Sequence, residues 1–423
     1  MQEKKFPRMI RVRQTFDRTV LEDVVGTIHD QINALAPRLD IKAGQTVAVA
    51  CSSRGLSNYA TIVKAVVSAL KQMGLQAFVI PAMGSHGAAT AEGQKRVLEH
   101  LGLCETEVGA PIKSSLEVVK IGETEDRLPV FLDKLAAEAD HIVLINRIKK
   151  HTEFDHEFES GLIKMMAIGL GKQEGAATYH EAMLTYGYPH VLLTVARKVM
   201  QHSNLLFGVG SVENGYGQTA VIGVCSREMI EETEKELFKS AKAYAPGLPF
   251  DEADIIIIDE MGKDISGTGF DTKVVGRIGL PLVTADPKSP SIKRIVVCDL
   301  TEGSEGNAVG VGIADVITQR LRDKIDMDAL NINTITGVCP EMGKIPLTMK
   351  NDREAIDIAI KCVGLIPRKK LKIMRIKNTS VLNEVEVSEA YEEELATRSD
   401  LEVTGKKRPM DFNADGNLQP FFG

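Results

Sequence analysis

The sequence predicts an α/β fold of two domains with mainly parallel sheets, and three observations carry that prediction. Short runs of β-branched and apolar residues alternate with stretches of helical apolar period. Several runs end in polar, glycine-bearing segments, which is where an open parallel sheet places its ligands. The pattern restarts near residue 250, after Pro246-Gly247-Leu248-Pro249. A chain of 423 residues exceeds one ordinary core, and we divide it into domains 1–248 and 249–423 with the active site in the cleft between them.

The elements follow in order. Residues 46–50 read as a buried strand, followed by Ser52-Ser53-Arg54-Gly55. Tyr59, Ile62, Val63, Val66, Val67, Leu70 and Met73 then recur at helical spacing, with Ser57 as cap and Gly74 as stop. A strand over 77–80 leads into Gly84-Ser85-His86-Gly87, and a helix covers 92–101. A strand over 142–145 runs into Lys149-Lys150-His151. In the second half, 254–258 and 294–298 are strands and 311–322 is a helix. The tail after about 378 is weakly patterned and is expected to pack back on the first domain.

Composition removes several function classes. Lys and Arg total 51 against 58 Asp and Glu, so a net charge of −7 argues against phosphate-backbone binding. There is no Trp and aromatics are 5%, a poor basis for base stacking. The six cysteines are scattered without a C-x-x-C pair, which gives neither a disulfide framework nor a structural zinc site. The longest purely aliphatic run, 255–258, cannot span a bilayer, and the first residues lack an export-signal core. A reduced, cytoplasmic protein is expected.

Nine histidines are present. His29, His100, His141, His190 and His202 lie in ordinary helical or strand contexts and read as surface or capping residues. His86 stands between glycines after a strand, either as an acid–base group or as a turn residue bonding its own loop. His151 follows two lysines that favour its neutral form, and His156 lies between Asp155 and Glu157. Within Glu159-Ser160-Gly161-Leu162-Ile163-Lys164, the lysine sits in an apolar segment, where it is either desolvated and reactive or snorkelling outward. His180 could be a metal ligand with acidic support from Glu181. In the second half, Lys263 within Glu260–Gly269 could meet a phosphate or carboxylate, as could the 303–307 loop, Arg277 and Lys344. Neither a P-loop nor a dinucleotide fingerprint is formed there.

Together these segments resemble the nickel-pincer-nucleotide-dependent lactate racemase family. The run from His151 through Glu159-Ser160-Gly161, Lys164-Met165 and Gly169 to His180 is similar to that family's core, and Ser53-Arg54 and Gly84-Ser85-His86 to its earlier loops. Glu159-Ser160-Gly161-Leu162 and Ile265-Ser266-Gly267-Thr268-Gly269 look like the marks of a divergent branch. The resemblance implies an isomerase, a 2-hydroxy acid racemase or epimerase. It would transfer hydride reversibly to a nickel-pincer nucleotide, a pyridinium-3,5-bisthiocarboxylic acid mononucleotide holding nickel. It implies that Lys164 anchors the cofactor covalently and that His180 ligates nickel; Ser53, Gly84, Ser160, Gly161 and Lys263 are the further expected cofactor contacts. His86 and His151 would be the acid–base pair, with His156 as an alternative to His151, and Arg54 would hold the substrate carboxylate. The partners implied are the small-molecule acid and the enzymes that build the cofactor, and a homo-oligomer is compatible with this. Cys51 and Ser53 stand where the family has Asp and Thr, and the family's Trp has no counterpart, which points to an acid other than lactate. Two other readings use the same residues: a zinc-type hydrolase on His86, His151 and His180, and a non-catalytic nucleotide or metabolite-binding protein.

Overall fold

The computed structural model describes residues 6–420. The chain forms two compact units: Asp17–Ala245, and a second that joins the chain start, through Phe16, to Pro246 and beyond. Strand β1 (Arg8–Gln14) therefore belongs to the second unit.

In the Asp17–Ala245 unit, helix α1 (Val24–Leu35) is capped by Asp23, whose carboxylate accepts the Gly26 N–H, and it buries Val24, Ile28 and Ile32. Strands β2 (Thr46–Cys51) and β3 (Gln76–Pro81) flank helix α2 (Tyr59–Gln72). Ser57 does not cap α2 through its side chain. Asn58, in the left-handed region with φ 59°, precedes the helix, and the Ser57 N–H is held by Glu213 at 2.7 Å. Helices α3 (Ala91–His100) and α4 (Glu105–Val108) lead to the hairpin β4 (Val118–Glu123) and β5 (Pro129–Asp133). The short α5 (Lys134–Glu138) precedes β6 (His141–Arg147). After a loop come α6 (Leu162–Lys164), a π-turn over Met165–Gly169, α7 (Lys172–Tyr186) and α8 (Tyr188–His202). The hairpin β7 (Leu205–Glu213) and β8 (Thr219–Ser226) is covered by α9 (Ile230–Tyr244).

The sheet order is β3-β2-β6-β7-β8, parallel except for the β7–β8 pair. The runs that read as continuous apolar strands are central ones: Val47, Val49, Val143 and Phe207 are fully buried beneath Ile62, Val63 and Val66 of α2. The order puts the carboxyl ends of β3, β2 and β6 side by side, so the three polar loops that follow them are neighbours.

In the second unit, β9 (Glu252–Ile258), β10 (Ser291–Val297), β11 (Val316–Thr318), β12 (Leu347–Met349) and β13 (Ile373–Ile376) form a parallel set in the order β12-β11-β10-β9-β13. Strands β14 (Glu384–Ser388), β1, β15 (Leu401–Val403) and β16 (Arg408–Pro409) extend it by antiparallel pairing. This sheet is thus parallel over one half only. The expected helix over 311–322 is replaced by a 3₁₀ turn at Val311–Ile313, strand β11 and helix α10 (Gln319–Asp323). Ala314, Ile317 and Leu321 are buried at the i, i+3, i+7 spacing of a helix face. The β-branched run Val316-Ile317-Thr318 instead pairs with β10. Arg277 is structural: its guanidinium donates to Asp315 Oδ2 at 2.7 Å and Ile313 O at 3.0 Å.

Candidate active site

Each site loop is held by its own strand and neighbours. After β2, Ser53 and Arg54 are partly buried. The Ser53 hydroxyl hydrogen-bonds Nδ1 of His86, which joins the loops after β2 and β3. Gly84 has φ +60°, and a Cβ there would sit 3.1 Å from Ile168 and 3.6 Å from Ala176. The His86 loop therefore packs on the π-turn and on α7, with Gly84 N–H donating to Gly169 O at 3.3 Å. Burial pulls the Arg54 guanidinium below its ordinary value, and the charge of Arg147 adds to this. Arg147, at the end of β6, is itself neutralised by Glu213 at 2.6 Å.

The loop after β6 is closed by paired backbone bonds between Lys149 and Ser160, at 2.9 and 3.1 Å. Asn146 Nδ2 donates to Gly161 O at 2.7 Å. Inside this loop the buried Glu159 carboxylate accepts the His151 N–H. His151 is buried, and its ring lies 4.6 Å from that of Phe154. Nδ1 of His151 accepts the Glu153 N–H at 3.1 Å, so in the neutral imidazole the proton is on Nε2. Nε2 meets the Lys164 amine. Burial pulls Lys164 down to about 8, opposed by the Glu153 carboxylate and assisted by Arg54. The lysine is desolvated and beside a histidine, rather than snorkelling. His156 packs instead edge-on against Phe158, with ring centroids 4.5 Å apart, so of the two histidines in this loop His151 is the one against Lys164.

His180 lies on α7 one helical turn after Ala176, hence on the face that packs against Gly84. Among the described residues no three His, Cys, Asp or Glu side chains converge as a metal-ligand set. Among those residues the three-ligand site of a zinc hydrolase is therefore not assembled. Ser53, Arg54, Gly84, His86, His151, Ser160, Gly161, Lys164 and His180 all belong to the loops after β2, β3 and β6 or to the helices packed on them. Lys263 is in the other unit, after β9. Its ammonium donates to Gly267 O at 2.8 Å and Asn333 Oδ1 at 2.9 Å, so it binds its own loop and α11 (Met327–Thr336).

Sequence reasoning missed Glu234. This fully buried carboxylate of α9 accepts the Ile163 N–H at 2.9 Å, at the start of the turn that carries Lys164. A Cβ at Gly161 would lie 2.4 Å from it, so only glycine fits there. The available signal was position: Glu234 occupies a slot on the buried stripe of Ile230, Leu237, Phe238 and Ala241. Burial raises it from 4.5 to about 7. The folded protein therefore holds this proton more tightly than the unfolded chain, and stability falls as pH rises from about 4.5 to about 7. Glu234→Gln keeps an acceptor and removes the titration. Urea unfolding at pH 5 and pH 8 is expected to show the variant gaining up to about 3 kcal/mol on the wild type across that window.

Residues 16–188 match the family model described as the lactate racemase N-terminal domain. A crystal structure of a Thermotoga maritima protein superposes with TM-score 0.53 at 13% identity, covering 87% of this chain and 99% of that one, and so shares the fold. The lactate racemase apoprotein from Thermoanaerobacterium thermosaccharolyticum aligns with TM-score 0.47 at 14% identity, over 92% of this chain and 91% of that one. No curated protein matches the chain.

Proposed function

We propose, from the match of residues 16–188 to the lactate racemase N-terminal domain model, that the chain is a racemase or epimerase of a 2-hydroxy acid working with a nickel-pincer nucleotide. The observation that carries this is the convergence of Ser53–Arg54, His86 and the His151–Lys164 pair on the carboxyl ends of three adjacent strands, within the segment that matches the family.

The residues fit the group. Lys164 is an amine that burial brings down to about 8 beside His151, which raises the share of the neutral form that could make an amide-type link to a cofactor carboxyl carbon, with water as the leaving group. His180 offers one imidazole to a soft, largely cofactor-ligated nickel. Ser53, Gly84, Ser160 and Gly161 border the same loops and would contact the cofactor. When bound, the group supplies the acceptor for the substrate's Cα hydride. The chain's own residues do the rest. Arg54 holds the substrate carboxylate. One histidine takes the hydroxyl proton as the acid becomes a planar 2-keto acid, and the other returns a proton when hydride comes back to the opposite face. The histidine that donates does so as the imidazolium and is left neutral, while the one that accepts starts neutral.

A panel of single-enantiomer 2-hydroxy acids, incubated in D2O with protein made beside the cofactor-building enzymes, tests this. Chiral separation and mass analysis are expected to show interconversion with the Cα hydrogen retained and no deuterium at Cα. Deuterium at Cα would mean proton abstraction rather than hydride transfer and would overturn the mechanism. No interconversion of any acid would overturn the function.

A further inference from the structure

Lys172 is the one fully buried lysine among the described residues. Its ammonium has three partners on three separate elements. They are Pro81 O at the end of β3, Gln94 Oε1 on α3 at 3.2 Å, and the Asp133 carboxylate at the end of β5 at 2.8 Å, with both members of that ion pair fully buried. Gln94, also fully buried, uses its amide to donate to Gly84 O at 2.8 Å and His86 O at 3.3 Å. Gly87 closes the loop at φ +66°, where a Cβ would meet the Gly93–Gln94 backbone at 2.6 Å. Lys172 itself has φ 54°, a left-handed conformation that is strained for a non-glycine residue, yet it opens the helix that carries His180. Burial pulls its ammonium below the ordinary lysine value and the Asp133 carboxylate opposes that fall. Removing either charge alone would strand the other.

We infer that Lys172 is a positioning residue: acting through Gln94 and braced by Asp133, it fixes the His86 loop against the helix that bears His180. A lysine suits this place because one ammonium can donate to Pro81 O and Gln94 Oε1 and pair by charge with Asp133. The expense of burying it and of its backbone conformation is met by holding two site residues in one geometry. Its catalytic meaning rests on the racemase reading, but the existence of the clamp does not.

Two variants of the full chain test it. Lys172→Met combined with Asp133→Asn removes both charges together and keeps an acceptor for the Ala136 N–H that caps α5. Gln94→Leu cuts the relay and leaves the ion pair in place, so it decides the matter should the first variant fail to fold. Diethylpyrocarbonate labelling read by mass spectrometry, on protein without cofactor, is expected to modify His86 about three- to tenfold faster, the opening that one lost hydrogen bond gives. Surface His190, paired with Asp126, serves as the unchanged control. In the cofactor-loaded enzyme kcat is expected to fall about 100-fold with KM nearly unchanged, as for a misplaced catalytic group. Wild-type His86 labelling, or wild-type kcat, in a cooperatively folded variant overturns the inference. A loaded wild type without turnover overturns the racemase reading instead, and His86 labelling then still decides whether the clamp exists.

Discussion

His86→Gln and His151→Gln are each expected to lower racemisation by the cofactor-loaded enzyme about 10²- to 10⁴-fold. The argument starts from what each ring is given to do. His86 is tied by Nδ1 to Ser53, and His151 by Nδ1 to the Glu153 N–H, so in both the Nδ1 side is used for orientation. Glutamine keeps a polar side chain of similar reach in a site that packs Phe154 and Tyr188 around His151, at ring distances of 4.6 and 6.2 Å. It removes the proton transfer and little else. Two enantiomers are equal in free energy, so kcat/KM must fall by the same factor in both directions for either variant. Steady-state rates from each pure enantiomer measure this. A variant that retained wild-type turnover would remove that histidine from the acid–base pair.

The second large effect is at Lys164. Lys164→Ala is expected to leave a folded protein whose turnover falls to background even when it is made with the cofactor-building enzymes. Leu162, Ile163, Met165 and Met166 beside Lys164 are buried and apolar, so losing the amine relieves a desolvation that outweighs the pull of the Glu153 carboxylate. Lys164→Arg is expected to be equally inactive, because a guanidinium stays charged and is no nucleophile. The same environment makes a signature visible without cofactor. With Lys164 brought to about 8, its labelling by an amine-reactive reagent should rise through pH 8, while the exposed lysines rise near their ordinary value. Site-resolved mass spectrometry across pH 6–10 reads this, and a labelling midpoint near that of the surface lysines would contradict it.

Much of the site could be read from the chain because its residues follow strands at short range. The loops bearing Arg54, His86 and His151 each announce themselves by a polar or glycine-bearing stretch after an apolar run, and the strand order then makes them neighbours. The fixed interval from Lys164 to His180 is likewise local, a turn and a helix. What could not be read depends on distant partners. β1 pairs with β14, a pairing that joins the two ends of the chain and has no local pattern. The helix assigned over 311–322 was misread because three β-branched residues within an apolar period serve a short parallel strand. Lys172 looked like any lysine after a glycine until Asp133 and Gln94 were brought to it. Glu234 looked like one acid among several on α9 until its stripe position put it under Ile163. Long-range polar satisfaction is a property of the packed core, and the sequence offers it only as an unexplained charge at an apolar position.

The central claim is that this chain holds a nickel-bearing nucleotide through Lys164. Intact mass and metal content, measured on wild type and Lys164→Ala made beside the cofactor-building enzymes, test it most directly. A covalent adduct and about one nickel per chain are expected in the wild type, both lost in the variant. Wild-type protein without adduct or nickel, in a preparation where the free cofactor is demonstrated, would contradict it.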